Sequence, residues 1–112
     1  MFAMLMGLKS IAPQELHGRI GQGGPTVVDV NARQSWLRAR VPGALNLAPD
    51  FDAAMLPADL HTPLVFYCSN PLCRKAPQAA RKAVKLGYAD VRVMSAGITG
   101  WVGAQLPVES GD

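Results

Sequence analysis

The amino-acid sequence predicts an α/β domain in which helices cover both faces of a central, mostly parallel sheet. Short apolar runs rich in β-branched and aromatic residues alternate with segments of helical periodicity, as in parallel strands joined by crossover helices. The 112 residues are enough for one domain and not two, and the hydrophobic content of 49% is enough for a core. We therefore expect a single domain over 1–112, with its core over about 11–108.

The first half of the chain shows this alternation from residue 11 onward. The pattern predicts a helix over 11–20, a strand over 26–30, a helix over 32–39, a strand over 44–47 and a helical turn within 50–56. Pro13 suits the first turn of the first helix, and Asn31 is a candidate cap for the second. Residues 1–8 are apolar but lack the basic region of a signal peptide, so we expect them to pack on the core as a first or edge strand.

The second half contains the stretch around which the chain is organised. Residues 64–67 predict a buried strand, and a helix follows whose inner face consists of small residues at helical spacing and which ends near Gly87. That face comprises Ala76, Ala79, Ala80 and Ala83. A strand over 91–94, a short helix over 97–102 and a tail complete the chain. We expect residues 106–108 to pack back on the domain and residues 109–112 to be flexible.

Cys68 directly follows the predicted buried strand and opens a loop that leads into the helix. We call residues 68–75 the cysteine loop. A loop in this position can turn its backbone N–H groups inward and bind an anion, and the helix N-terminus adds partial positive charge. A thiol placed there loses its proton more easily, and the thiolate is the nucleophile. The alternative is that Cys68 is a small buried hydrophobe at the end of a strand.

Several motifs in the chain occur in the order found in one known family. They are VVDV at 27–30, VPGALNL at 41–47, the cysteine loop, LGY at 86–88 and AGITGW at 96–101. From about residue 11 to 108 the chain resembles a rhodanese domain. The resemblance implies a rhodanese-like three-layer fold and a sulfurtransferase activity. Cys68 would take a sulfane sulfur from a donor such as thiosulfate, carry it as a persulfide and pass it to a thiophilic acceptor.

The rest of the cysteine loop is the candidate anion-binding segment, since its N–H groups would stabilise the anionic persulfide. It comprises Ser69, Asn70, Pro71, Leu72, Cys73, Arg74 and Lys75. Cys73 is compatible with a disulfide to Cys68, with a role in resolving the persulfide, or with simple packing against the helix. Two cysteines without clustered histidines provide too few ligands for zinc, so we expect no metal and no cofactor.

The spacing from Cys68 to Arg74 is also the C-x-x-x-x-x-R signature of cysteine phosphatases, in which arginine completes the phosphate site. Phosphatases and arsenate reductases with this spacing share the rhodanese fold, so a function of that kind is the first alternative. The second is a sulfur-relay or protein-docking module with little turnover of small molecules.

Three further residues are candidate supports for the site. Asp29 ends a strand that should neighbour the predicted strand over 64–67, and the resemblance to the rhodanese family implies that this aspartate pairs with a basic residue. Two positions after Asp29, where the family has a basic residue, this chain has Asn31. The pairing would therefore be made with Arg33 or Arg40 instead, or it would be lost.

Gly97 and Gly100 suit a turn that needs close backbone approach, and Trp101 is a candidate core residue.

The net charge of +3 mildly favours small anions, and the scattered basic residues do not form a nucleic-acid footprint. The expected partners are small sulfur-containing anions or protein thiols, not nucleic acid or membrane. Two cysteines in one loop do not make a disulfide framework, and with no signal peptide evident we expect a cytoplasmic protein.

Overall fold

A computed structural model of the chain describes residues 8–112, so most of the predicted N-terminal edge segment lies outside the described residues. The strands are β1 (Lys9–Ser10), β2 (Thr26–Asp29), β3 (Leu45–Asn46), β4 (Leu64–Tyr67) and β5 (Val91–Val93). They form one sheet in the order β1–β5–β4–β2–β3 with parallel pairing throughout. The predicted α/β class is confirmed, and the strand that precedes Cys68 is central.

The helices occur where the periodicity predicts them, with ends shifted by one or two residues. They are α1 (Pro13–Ile20), α2 (Arg33–Arg38), α3 (Lys75–Lys85) and α4 (Gly97–Gly103), and a 3₁₀ turn covers Ala53–Met55. Pro13 occupies the first turn of α1 as predicted. Within residues 8–112, no helix combines the length and the apolar character needed to cross a membrane.

The sheet is covered on both faces, and alternate residues of β4 show this most clearly. Leu64 and Phe66 belong to the apolar cluster that includes the inner face of α3, whereas Val65 and Tyr67 belong to the cluster on the opposite face. The second cluster includes Leu16 of α1. Because successive side chains of a strand point to opposite faces, this division gives the three layers that the sequence predicts.

The inner face of α3 consists of alanines, and all four are buried against the sheet. Short side chains let the helix backbone lie close to β4 and β5, which it contacts. Gly87 follows the helix with a φ of +105°, a conformation that glycine adopts without the steric cost of a Cβ.

The C-terminal tail does not match the predicted flexible segment. Arg40 and Glu109 exchange two backbone hydrogen bonds of 3.0 Å, and the Gly111 N–H donates to the Leu37 carbonyl at 2.7 Å. Leu37 lies in the last turn of α2, where carbonyl groups have no partner within the helix. The tail supplies such a partner, a tertiary contact that local composition does not reveal.

Candidate functional site

Cys68 lies immediately after the central strand, at the edge of the sheet where the carboxyl ends of the parallel strands meet. The two neighbours of β4 in the sheet are β2 and β5. Asp29, the last residue of β2, pairs in register with Tyr67, the last residue of β4. The sequence predicted that Asp29 and Cys68 share one edge of the sheet, and the register places them there, as expected for a ligand site in an open α/β sheet.

The beginning of α4 packs directly against the start of the cysteine loop. The Ile98 N–H donates to the Cys68 carbonyl at 2.9 Å, and the Thr99 N–H donates to the Ser69 carbonyl at 3.0 Å. Gly97 has a φ of +68°, and a Cβ at this position would lie 2.5 Å from the Ser69 carbonyl carbon. The prediction that this glycine permits a close backbone approach is confirmed, and the backbone that it contacts belongs to the cysteine loop.

Asn31 connects β2 to the cysteine loop, a role that the sequence did not predict. Its side-chain Oδ1 accepts a hydrogen bond of 2.7 Å from the Ser69 hydroxyl. The prediction that Asn31 caps α2 is wrong, because Ala32 is the cap residue and makes no side-chain hydrogen bond. The side chain of Asn46, the last residue of β3, donates to the Asn31 carbonyl at 2.9 Å and so also helps to hold Asn31 in place. The sequence signal for this role was a polar residue two positions after β2, near the edge of the sheet where Cys68 lies.

Asn70 folds the middle of the cysteine loop back on itself. Its side-chain oxygen accepts the Leu72 N–H at 2.9 Å, and its backbone carbonyl accepts the Cys73 N–H at 3.1 Å. Pro71 has no N–H to offer. The Leu72 and Cys73 N–H groups therefore do not form the predicted inward-facing anion site in this conformation, because the side-chain oxygen of Asn70 binds the first and its backbone carbonyl binds the second.

The turn brings the two cysteines together as a disulfide. Their Cα atoms are 6.4 Å apart, within the range of about 4.4–6.8 Å usual for disulfides. Cys68 is only 3% exposed, whereas Cys73 is half-buried and packs against the same apolar cluster. Of the alternatives left open for Cys73, the structure shows the disulfide. Cys68 can therefore act as a nucleophile only after this bond is reduced.

Positive charge lies at the end of the cysteine loop. Arg74 is the cap residue of α3 and Lys75 is its first residue, and both are exposed. Their cations and the partial positive charge of the helix N-terminus both favour an anion near the loop. The N-terminal end of α3 is therefore positively charged.

Asp29 is fully buried at the end of β2. One carboxylate oxygen, Oδ1, accepts the Asn31 N–H at 2.8 Å, while Oδ2 has no hydrogen bond of full geometry among the described residues. Burial raises the pKa of this carboxyl group, and the Tyr67 hydroxyl, Asn31 and the charge of Arg40 oppose that rise. Tyr67, which the sequence did not single out, also accepts the Val41 N–H at 3.0 Å. Asp29 thus helps to hold Asn31, which in turn binds Ser69 of the cysteine loop.

The two arginines proposed as partners of Asp29 differ in position. Arg33 is exposed and its Nη2 lies 3.8 Å from Oδ1 of Asp112, so of the alternatives left open for Asp29 the structure does not show a pairing with Arg33. Arg40 is buried with its guanidinium 3.9 Å from the centroid of the Trp36 ring, and its charge acts on Asp29. Its ion pair is formed with Glu109 at 3.7 Å. Among the described residues Asp29 thus forms no ion pair with an arginine, and the charge of Arg40 only opposes the rise in its pKa.

The surface beside the cysteine loop is shallow. A depression of about 430 Å³ lies between α2 and α4, and Ser69, Arg38 and Thr99 line part of it. A larger cavity of about 590 Å³ lies beside the beginnings of β2 and β3 and contains none of the predicted site residues. Within residues 8–112, no cluster of three histidine, cysteine or acidic residues is positioned to bind a metal ion.

Comparison with known proteins gives a match to the rhodanese-like domain model over residues 12–104. One curated relative is the HTH-type transcriptional regulator Rv0324 of Mycobacterium tuberculosis, 34% identical over 104 residues. The aligned part covers 91% of this chain but 45% of the relative, so the chain spans less than half the length of that protein.

Three solved structures share the fold. BH2092 from Bacillus halodurans has a TM-score of 0.83 at 24% identity, over 97% of this chain and 82% of its own. The human single-domain sulfurtransferase TSTD1 has a TM-score of 0.71 at 24% identity, over 84% and 95%. RPA3614 from Rhodopseudomonas palustris, described as a possible tyrosine phosphatase, has a TM-score of 0.76 at 19% identity, over 93% and 86%. These structures share the fold, and the family match over most of the chain shows that the chain belongs to the rhodanese-like domain family.

Proposed function

We propose that this domain transfers a sulfane sulfur through a persulfide on Cys68, with thiosulfate as the representative donor. The observation that carries the proposal is the position of Cys68, at the end of the central strand of a rhodanese-like domain and directly before the N-terminus of α3. The likeness in fold to a single-domain sulfurtransferase supports the same chemistry. Arg74 and Lys75 give the loop a charge suited to an anionic donor.

The reaction has two half-reactions that share one sulfur atom. The Cys68 thiolate attacks the outer sulfur of thiosulfate, the sulfur–sulfur bond of the donor breaks, and sulfite leaves with the electron pair. An acceptor then attacks the outer sulfur of the persulfide, and the Cys68 thiolate is regenerated. The shallow surface beside Ser69 suits small sulfur-containing anions or a protein thiol as reactants.

The first half-reaction provides the test. Reduced protein, freed of the reductant and mixed with thiosulfate alone, should release one sulfite per chain. The Cys68→Ser variant and the unreduced disulfide form should release none. If the reduced wild-type protein releases no sulfite, and no other sulfane donor loses its outer sulfur to it, the proposal is overturned.

The second candidate is a phosphatase or arsenate reductase, favoured by the spacing from Cys68 to Arg74. RPA3614, which shares the fold of this chain, is described as a possible tyrosine phosphatase. Against this function, Pro71 lacks an N–H and the Leu72 and Cys73 N–H groups are bound to Asn70. This function would be favoured if the protein hydrolyses an aryl phosphate or reduces arsenate and loses that activity in Arg74→Ala. Arg81→Ala, which removes an exposed arginine of α3, should keep the activity. No turnover of either compound would exclude it.

A further inference from the structure

We infer that Cys73 is a resolving cysteine, which converts the persulfide on Cys68 into a disulfide and releases the sulfur as hydrosulfide. The inference rests on the proposed sulfur transfer and assigns a second chemical step to the same site. It gives the domain a reductive activity, in which a sulfane donor and an external thiol yield sulfide.

The first support is the geometry of the cysteine loop. The Asn70 turn, closed by its hydrogen bonds to the Leu72 and Cys73 N–H groups, sets the two cysteines in a disulfide. The hydrogen bonds from Ile98 and Thr99 to the carbonyls of Cys68 and Ser69 fix the other end of the loop against α4. A thiol held this close reacts as an intramolecular group, with a much higher effective concentration than any thiol in solution.

The second support is the difference in burial between the two sulfurs. Cys68 is 3% exposed, while Cys73 is half-buried, and Leu72 beside it is 89% exposed. An external thiol therefore reaches the disulfide from the Cys73 side. Attack on the Cys73 sulfur expels the Cys68 thiolate, which is the group that must be restored for the next donor.

The chemical step balances without an added oxidant. The Cys73 thiolate attacks Sγ of the Cys68 persulfide, the bond between that Sγ and the outer sulfur breaks, and a Cys68–Cys73 bond forms. The outer sulfur leaves with the electron pair and takes up a proton as hydrosulfide. The sulfane sulfur is reduced to sulfide while two thiols are oxidised to a disulfide, and two equivalents of an external thiol, or one dithiol, restore the thiols.

A single-turnover experiment tests the inference with the whole chain. Reduced wild-type protein and the Cys73→Ser variant are freed of reductant, kept without oxygen and mixed with one thiosulfate per chain. No thiol is added, because an external thiol would itself release sulfide from a persulfide. Sulfite, sulfide and the intact mass without reductant are measured. Cys73→Ala serves as a second variant, and thermal unfolding shows that both variants are folded.

We expect the wild-type protein to release one sulfite and one sulfide per chain and to end about 2 Da lighter than its reduced form, as a disulfide. Both Cys73 variants should release sulfite without sulfide and retain a sulfur adduct of about 32 Da. A wild-type protein that keeps the adduct, carries it on Cys73, or releases no more sulfide than the variants would overturn the inference while leaving the proposed function intact. No sulfite from any of the three proteins would overturn both.

Discussion

The Asn31 side chain, two positions beyond the end of β2, joins this part of the chain to Ser69 in the cysteine loop. We expect Asn31→Ala to lower the free energy of unfolding by about 1 kcal/mol, because the hydrogen bond from the Ser69 hydroxyl is lost at a nearly buried position. The loop should also open more often, so iodoacetamide should label reduced Cys68 faster. Urea unfolding and the labelling rate measure the two effects. Gln34→Ala, at an exposed position on α2, is the control, and equal values for both variants would contradict this role.

Asp29 should make stability depend on pH with a definite sign. Burial raises its pKa above the ordinary value of 3.8, so the folded protein holds this proton more tightly than the unfolded chain does. The stabilisation is fully present below the unfolded pKa and is lost as the pH rises through the folded pKa. We therefore expect the free energy of unfolding of wild type relative to Asp29→Asn to fall as the pH rises above about 4.

Chemical denaturation of wild type and Asp29→Asn across a pH series measures this difference, and taking the difference cancels the titration of the other carboxyl groups. A difference that stays constant or grows with pH would show that Asp29 is held as a stabilised carboxylate instead.

At the level of elements, the contact between α4 and the cysteine loop depends on Gly97. Gly97→Ala should destabilise the protein by about 2 kcal/mol or more, since the residue has a φ of +68° and the new methyl group would meet the Ser69 backbone. The rate of sulfite release should fall with it, because the loop is displaced. Gly103→Ala is a matched control in the same helix, where nothing lies within 4 Å of the added Cβ and φ is not positive. Equal stability of the two variants would refute the close contact.

Over the whole molecule, Arg40 joins α2, the tail and the surroundings of Asp29. Its Nη1 donates to the carbonyls of Trp36 and Gly111 at 3.2 and 2.8 Å, and its guanidinium stacks on the Trp36 ring. We expect Arg40→Ala to cost about 2 kcal/mol and to increase hydrogen exchange of the Gly111 amide. Arg38→Ala, which removes an exposed arginine at the end of α2, should change stability by less than about 0.5 kcal/mol. Unchanged exchange at Gly111 in Arg40→Ala would separate the tail from Arg40.

The sequence predicted those parts of the molecule that depend on local signals. Local patterns were enough to predict the positions of α3 from its alanine spacing and of β4 from its apolar run. The close contact at Gly97 was likewise predicted from the glycine itself. Asn31 was misassigned because an asparagine before a helix commonly caps it, and only the sheet register brings it to Ser69. The docked tail depends in the same way on a distant partner, Arg40.

The cysteine loop shows the same limit within a short segment. The sequence placed Cys68 correctly, but the orientation of the loop N–H groups depends on Asn70, whose side chain captures the Leu72 N–H. A strand–cysteine–helix pattern predicts where the thiol lies. It does not predict whether the loop is open around an anion or closed by the disulfide to Cys73.

Locating the added sulfur atom shows whether Cys68 is its carrier. Reduced Cys73→Ser protein is treated with thiosulfate, alkylated, digested and sequenced by tandem mass spectrometry. We expect an additional mass of about 32 Da at Cys68 in its peptide. Unmodified Cys68 in protein that has released sulfite, or no sulfur on the chain at all, would contradict it.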